Sequence, residues 1–189
     1  MTGCSLKGAK MYKTEDMVLI AIGAALIAIC SWISIPMTVP FTLQTFAVFF
    51  VLMTLGGERG TIATLVYVIM GAVGLPVFSG FKGGLGNLLG NTGGYIIGFI
   101  FMGLVYMIIT KIFGEKIISS VAALTIGLLT CYAFGTSWFM FVYIRNTGPV
   151  GVMSVLSWCV FPFIIPDMVK MAVAVAVPRR VRFLTAIRT

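Results

Sequence analysis

The chain has 189 residues, of which 60% are hydrophobic and only 10% charged, with a mean hydropathy of +1.11. A soluble domain is about 45–50% apolar and about 25% charged, so water is excluded as the main solvent, and soluble dehydrogenase, nuclease and β-sandwich architectures go with it. Thirteen Lys and Arg against five Asp and Glu leave a net charge of +8, but the cations sit at the ends of apolar runs and not on one amphipathic face, a pattern of membrane topology and not of nucleic-acid binding.

At about 20 residues per helical span, this length predicts roughly six spans with short loops and leaves no room for an ATPase domain. Residues 1–16 are polar and basic, and they lead into a first apolar run, about 17–35, that is too long for a signal-peptide core. Further runs follow at about 41–55, 61–78, 93–113, 117–143 and 150–177, and 178–189 is a tail. They are continuous and not alternating, so they read as helices and not barrel strands. The expectation is an all-α integral membrane protein, a single membrane domain over 1–189 with six transmembrane helices. With the N-terminus inside, Lys7, Lys10, Lys13, Arg59, Lys111, Lys116, Arg179, Arg180, Arg182 and Arg188 fall on the inner side, and only Lys82 and Arg145 on the outer. That bias predicts both termini in the cytoplasm. Glu15, Asp16, Glu58 and Glu115 sit at the same inner junctions.

Chemistry has few places to reside. There is no histidine, and Cys4, Cys30, Cys131 and Cys159 form no C-x-x-C pair, so neither a metal centre nor a base–nucleophile constellation is expected, and no cofactor. The first helix carries Ala21, Ala24, Ala25 and Ala28 at spacings of three and four, small residues that admit a neighbouring helix. Between the first two runs, Pro36 and Pro40 stiffen an uncharged outer loop, and Thr42, Gln44 and Thr45 open the second span. Seven of the fifteen residues from Gly80 to Gly94 are glycine. The segment matches neither a phosphate-binding nor a dinucleotide-binding pattern, and its apolar neighbours suggest a lid or pocket wall in place of a solvated linker. Asp167 and Lys170 lie within the last run, three residues apart and thus on one helix face, just after Pro162 and Pro166. Ionised groups in hydrocarbon cost at least a few kcal/mol each and mark functional sites.

Four strings carry a resemblance: Ile35-Pro36 followed by Val39-Pro40-Phe41-Thr42-Leu43-Gln44-Thr45-Phe46; Gly71-Ala72-Val73-Gly74-Leu75-Pro76-Val77-Phe78; Gly90-Asn91-Thr92-Gly93-Gly94-Tyr95; and Asp167-x-x-Lys170. In that order they resemble the BioY family, biotin-specific S subunits of energy-coupling factor (ECF) vitamin transporters. Asn91 is a departure, standing where the family usually has proline. The resemblance implies an S-component fold in a prokaryotic cell membrane, with a biotin pocket near the outer face. It also implies partnership with a transmembrane coupling subunit, which the alanine face of the first helix meets, and with two cytoplasmic ATPase subunits that supply the energy. Within such a pocket Asp167 is assigned to a ureido N–H, and Lys170 either to the ureido carbonyl or to holding Asp167. Asn87 is a third polar partner, and Gln44 belongs to the same site. Phe78 and Tyr95 would wall the apolar part, and Lys82 or Arg145 would meet the carboxylate. An S subunit for another vitamin and a stand-alone carrier are the competing readings; an intramembrane enzyme lacks the residues it needs.

Overall fold

Continuous apolar sequence in a membrane must satisfy its backbone internally, and helices account for most of the chain: α1 (Thr14–Trp32), α2 (Gln44–Val73), α3 (Leu85–Leu88), α4 (Gly93–Phe113), α5 (Ile117–Asn146), α6 (Val152–Cys159) and α7 (Phe161–Ala186). The structure is a computed structural model that describes residues 13–186 except Thr38, with side chains through Pro178. Cys4, Lys7, Lys10 and Arg188 lie outside the described residues, as do the side chains of Arg179, Arg180 and Arg182. Five stretches are long and apolar enough to cross a membrane: Thr14–Trp32, Gln44–Val73, Gly93–Phe113, Ile117–Asn146 and Val152–Pro178.

The second and third predicted runs are not separated by a loop. Their helical ladder is continuous apart from Gly56, whose φ of 82° and ψ of 172° break it at one residue. That left-handed φ is open to glycine at little steric cost. The chain folds back there. A Cβ on Gly60 would lie 2.9 Å from the Cα of Leu52, although residues eight apart in a straight helix are separated by about 12 Å. Farther up the two arms, Gln44 Nε2 donates to Tyr67 Oη at 3.0 Å. The third run also stops earlier than its apolar sequence suggests. Gly74 caps α2 in a left-handed conformation, and Pro76 cannot extend the ladder, so 74–78 opens the glycine-rich loop.

Helix α1 shows how such a chain packs. Ile20, Gly23, Ala24, Ile27, Ala28 and Ser31 form a buried stripe, while Met17, Ile22, Ile29 and Ile33 on the other side are more than half exposed or close to it and equally apolar. Lipid, not water, suits that outer face. Its buried stripe meets both arms of α2, where Gly23 faces Ala63, Leu55 and Val51. Helix α4 packs chiefly on α5, and small residues let the two approach: Gly98 faces Cys131 and Gly127 faces Met102.

Two further features depart from the sequence reading. Ser34–Ile35 and Phe41–Thr42 pair as a short antiparallel ribbon, β1 and β2, where a plain proline-stiffened loop was expected. The last run is broken at Val160 (φ −124°, ψ −56°) into α6 and α7. The break therefore falls before Pro162, which is the second residue of α7, where no intrahelical hydrogen bond is lost. Pro166 sits inside the helix, and α7 continues past Pro178 into the predicted tail.

Candidate functional site

Three elements bring charge and hydrogen bonding to one point. Asp167 and Lys170 share a face of α7 and are buried, with 2% and 7% of their surface exposed. Lys170 Nζ donates to Asp167 Oδ1 at 2.8 Å and to the Thr42 carbonyl in β2 at 2.7 Å. It also lies 4.2 Å from the centre of the Phe41 ring, within cation–π range. An ammonium has three donors and no acceptor, and here three electron-rich groups surround it. From α5, Tyr132 donates to the other oxygen, Asp167 Oδ2, at 2.6 Å. No buried side-chain nitrogen or oxygen among the described residues lacks a partner, as an apolar surrounding demands.

This cluster forms the buried end of a cavity of about 830 Å³, its open mouth included. Its walls are apolar and aromatic: Phe78, Tyr95, Ile96, Phe99, Leu128 and Phe163. Phe78 is buried and presents its ring edge-on to Tyr67, with centroids 5.7 Å apart. Tyr95 is fixed by a 3.0 Å hydrogen bond between its hydroxyl and that of Thr136. Gln44, which opens α2, lines the cavity while its amide N–H is held by Tyr67.

The open end is built by the glycine-rich loop. Phe78 and Lys82 exchange backbone hydrogen bonds across a tight turn, which sets the exposed Lys82 at the rim. One-turn α3 carries Asn87 to the same rim, beside Thr92 and Ser79. The loop is tied to the bundle by tryptophans: Trp32 Nε1 donates to the Pro76 carbonyl at 2.8 Å and Trp138 Nε1 to the Gly90 carbonyl at 3.0 Å. Asn91 is exposed and lies outside the cavity lining.

Of the residues singled out by sequence, Asp167, Lys170, Asn87, Tyr95, Phe78, Gln44 and Lys82 all line this one cavity. Arg145 does not. It is exposed near the end of α5, with its guanidinium 5.7 Å from the centre of the Phe141 ring. The four alanines are also divided: Ala24 and Ala28 face inward and are buried, whereas Ala21 and Ala25 are exposed on the outer side of α1. The two pairs are centred only about 60° apart around the helix, so burial within the bundle, not rotation alone, sets them apart. Sequence reasoning missed Tyr132, the Thr42 carbonyl, and the thiols of Cys131 and Cys159, which also line the cavity. A phenol within the apolar run of α5 was the available signal for Tyr132; its pairing with a carboxylate 35 residues away was not.

Comparison with known proteins agrees with this architecture. Residues 6–186 match the model of the BioY family. The chain is 38% identical over 172 residues to the biotin transporter BioY of Thermotoga maritima, covering 89% of this chain and 96% of that protein. It is 36% identical over 172 residues to the probable biotin transporter BioY of Pyrococcus horikoshii, covering 90% and 98%. Both relatives are named as transporters, not enzymes. In structure it is similar to the crystallised S-component for biotin from an ECF-type ABC transporter, with a TM-score of 0.79, 24% identity, and coverage of 91% of this chain and 95% of that one. The fold is thus that of a membrane-embedded S-component, rich in apolar helices. The chain belongs to the BioY family.

Proposed function

We propose that this protein is the biotin-binding S subunit of an ECF-type transporter, taking up biotin across a prokaryotic cell membrane on energy from ATP hydrolysed by partner subunits. The observation that carries this reading is the buried Asp167–Lys170–Tyr132 cluster at the end of an apolar cavity with a polar rim. Biotin has a matching order of parts: a polar ureido head, an apolar bicycle and valeryl chain, and a carboxylate.

Asp167, with lone pairs beyond the two already engaged, accepts a ureido N–H. Asn87, which offers both a donor and an acceptor, is a further polar partner of the ligand. Lys170 holds Asp167, because its hydrogens already face Asp167, Thr42 and Phe41. Phe78 and Tyr95 wall the apolar portion, with Gln44 beside them. Lys82 at the rim, and not Arg145, meets the carboxylate.

The same reading sets the topology. The two arms of α2 are separate crossings joined at Gly56, giving six spans in one membrane domain with both termini cytoplasmic. Asp16 and Arg59, which pair at 2.8 Å, then mark the cytoplasmic side. Ala21 and Ala25, with their apolar neighbours, face the transmembrane coupling subunit, and the two ATPase subunits bind beyond it. No cofactor is required.

Equilibrium binding of labelled biotin to the detergent-solubilised protein tests this. Unlabelled biotin is expected to displace the label, and thiamine, riboflavin and folate are not. Absence of binding, or displacement by another vitamin at equal concentration, would overturn it.

A further inference from the structure

We infer that Tyr132 is a positioning residue that acts on the ligand through Asp167. Its hydroxyl donates to Asp167 Oδ2 at 2.6 Å, the short range of O–H···O⁻ bonds to a carboxylate. Lys170 holds Oδ1 at 2.8 Å from one turn along the same helix. Gripped at both oxygens from two helices, the carboxylate plane cannot turn freely, and the lone pairs left over keep one direction.

The hydrogens of this cluster are all committed. Lys170 directs its donors at Asp167, the Thr42 carbonyl and the Phe41 face, and the single hydroxyl hydrogen of Tyr132 goes to Asp167. The buried end of the cavity therefore offers acceptors and reads donors on what enters. Without the phenol, Asp167 is anchored at one oxygen, its terminal torsion is soft, and an incoming N–H meets an acceptor spread over many orientations. This inference rests on the biotin-binding reading above.

The test is a double-variant cycle on the full-length protein in detergent. Tyr132→Phe keeps the ring and removes the hydroxyl, and is expected to weaken biotin binding about tenfold, in line with losing one hydrogen bond to a charged group. Combined with Asp167→Asn, it should add less than about threefold to the loss from Asp167→Asn alone, because nothing remains to be positioned. A tyrosine that only fills space would give losses that multiply, and that result overturns the inference, as does unchanged binding by Tyr132→Phe. Thermal melting of each variant without ligand separates folding from binding. A measurement on the unaltered protein stands beside these: biotin methylated on both ureido nitrogens should bind at least about a hundredfold more weakly, and equal binding overturns the acceptor-only character of the buried end. If the unaltered protein binds no biotin, the proposed function falls first and this inference with it. If it binds biotin and the cycle is additive, only the inference falls.

Discussion

At its buried end the cavity is made of side chains from α7 and α5 and one β2 carbonyl, all hydrogen-bonded to one another. At its open end it is made of backbone turns and a one-turn helix whose Lys82 and Asn87 face the rim. The difference follows from solvent. Charges withdrawn from water must be paired and fully hydrogen-bonded, so the buried end is over-determined and stiff. Near water, polar groups need no such partners, and the loop holds its shape through close backbone contacts and its two tryptophan ties. If the cavity takes biotin as proposed, recognition by direction belongs to the first end, and entry and exit to the second.

The largest effect should come from breaking the stiff end. Asp167→Asn removes the charge that Lys170 and Tyr132 both address and leaves a buried ammonium without its counter-ion, a loss of about 3–5 kcal/mol in comparable buried pairs. Biotin affinity should fall at least about a hundredfold in equilibrium binding, with little dependence on salt because the site is shielded. A loss below tenfold would move recognition away from α7.

A smaller effect is expected from disturbing the loop at its root. A Cβ on Gly93 would fall on the carbonyl carbon and oxygen of Leu88, backbone that cannot swing aside as a side chain would. Gly93→Ala should therefore displace α3 and Asn87 at a cost of about 1–3 kcal/mol, read as a melting point lower by several degrees and biotin binding weaker by about tenfold. Gly86→Ala is the control. Nothing lies within 4 Å of its added Cβ, and alanine favours the helix it joins. If the control loses as much binding as Gly93→Ala, the loop is not shaped by the Leu88 contact.

The stiff end was the more legible of the two from sequence, although only in part. Asp167 and Lys170 stood out because ionisable residues are rare in hydrocarbon, and i,i+3 spacing put them on one face. Tyr132 did not, since a phenol in an apolar run has no spacing relation to a carboxylate 35 residues on. The same limit hid the Thr42 carbonyl, a backbone group with no residue-type signal. At the open end, glycine content announced close backbone approach but not the Phe78–Lys82 turn or α3. Helix α4 was readable over its whole length, 93–113, because Gly93 and Gly114 bound it. The reversal near Gly56 was readable from the charged gap between the second and third runs, although not that a single residue would make it; the break at Val160 was hidden, because hydropathy continues unchanged through that position. Alanine spacing gave one face of small residues with its register open; packing of α1 on α2 buries Ala24 and Ala28 and leaves Ala21 and Ala25 exposed. Arg145 was drawn to the site by charge and side of the membrane alone, and neither fixes distance.

The smallest effect sharpens the comparison most, because it depends on the rim being wet. Lys82 is exposed, and exposed ion pairs contribute only about 0–1 kcal/mol. Lys82→Ala should weaken biotin binding by no more than about fivefold at low ionic strength, and by nothing measurable near 1 M salt, where the screening length falls to about 3 Å. Biotin amide, which lacks the carboxylate charge, should not distinguish Lys82→Ala from the unaltered protein at any salt concentration, and Arg145→Ala should bind both ligands normally. If Lys82→Ala weakens the amide as much as biotin, Lys82 acts by holding the Phe78 turn closed and not by meeting charge. The rim would then be a mechanical part of the pocket, stiff like the buried end, and the contrast between the two ends would fail.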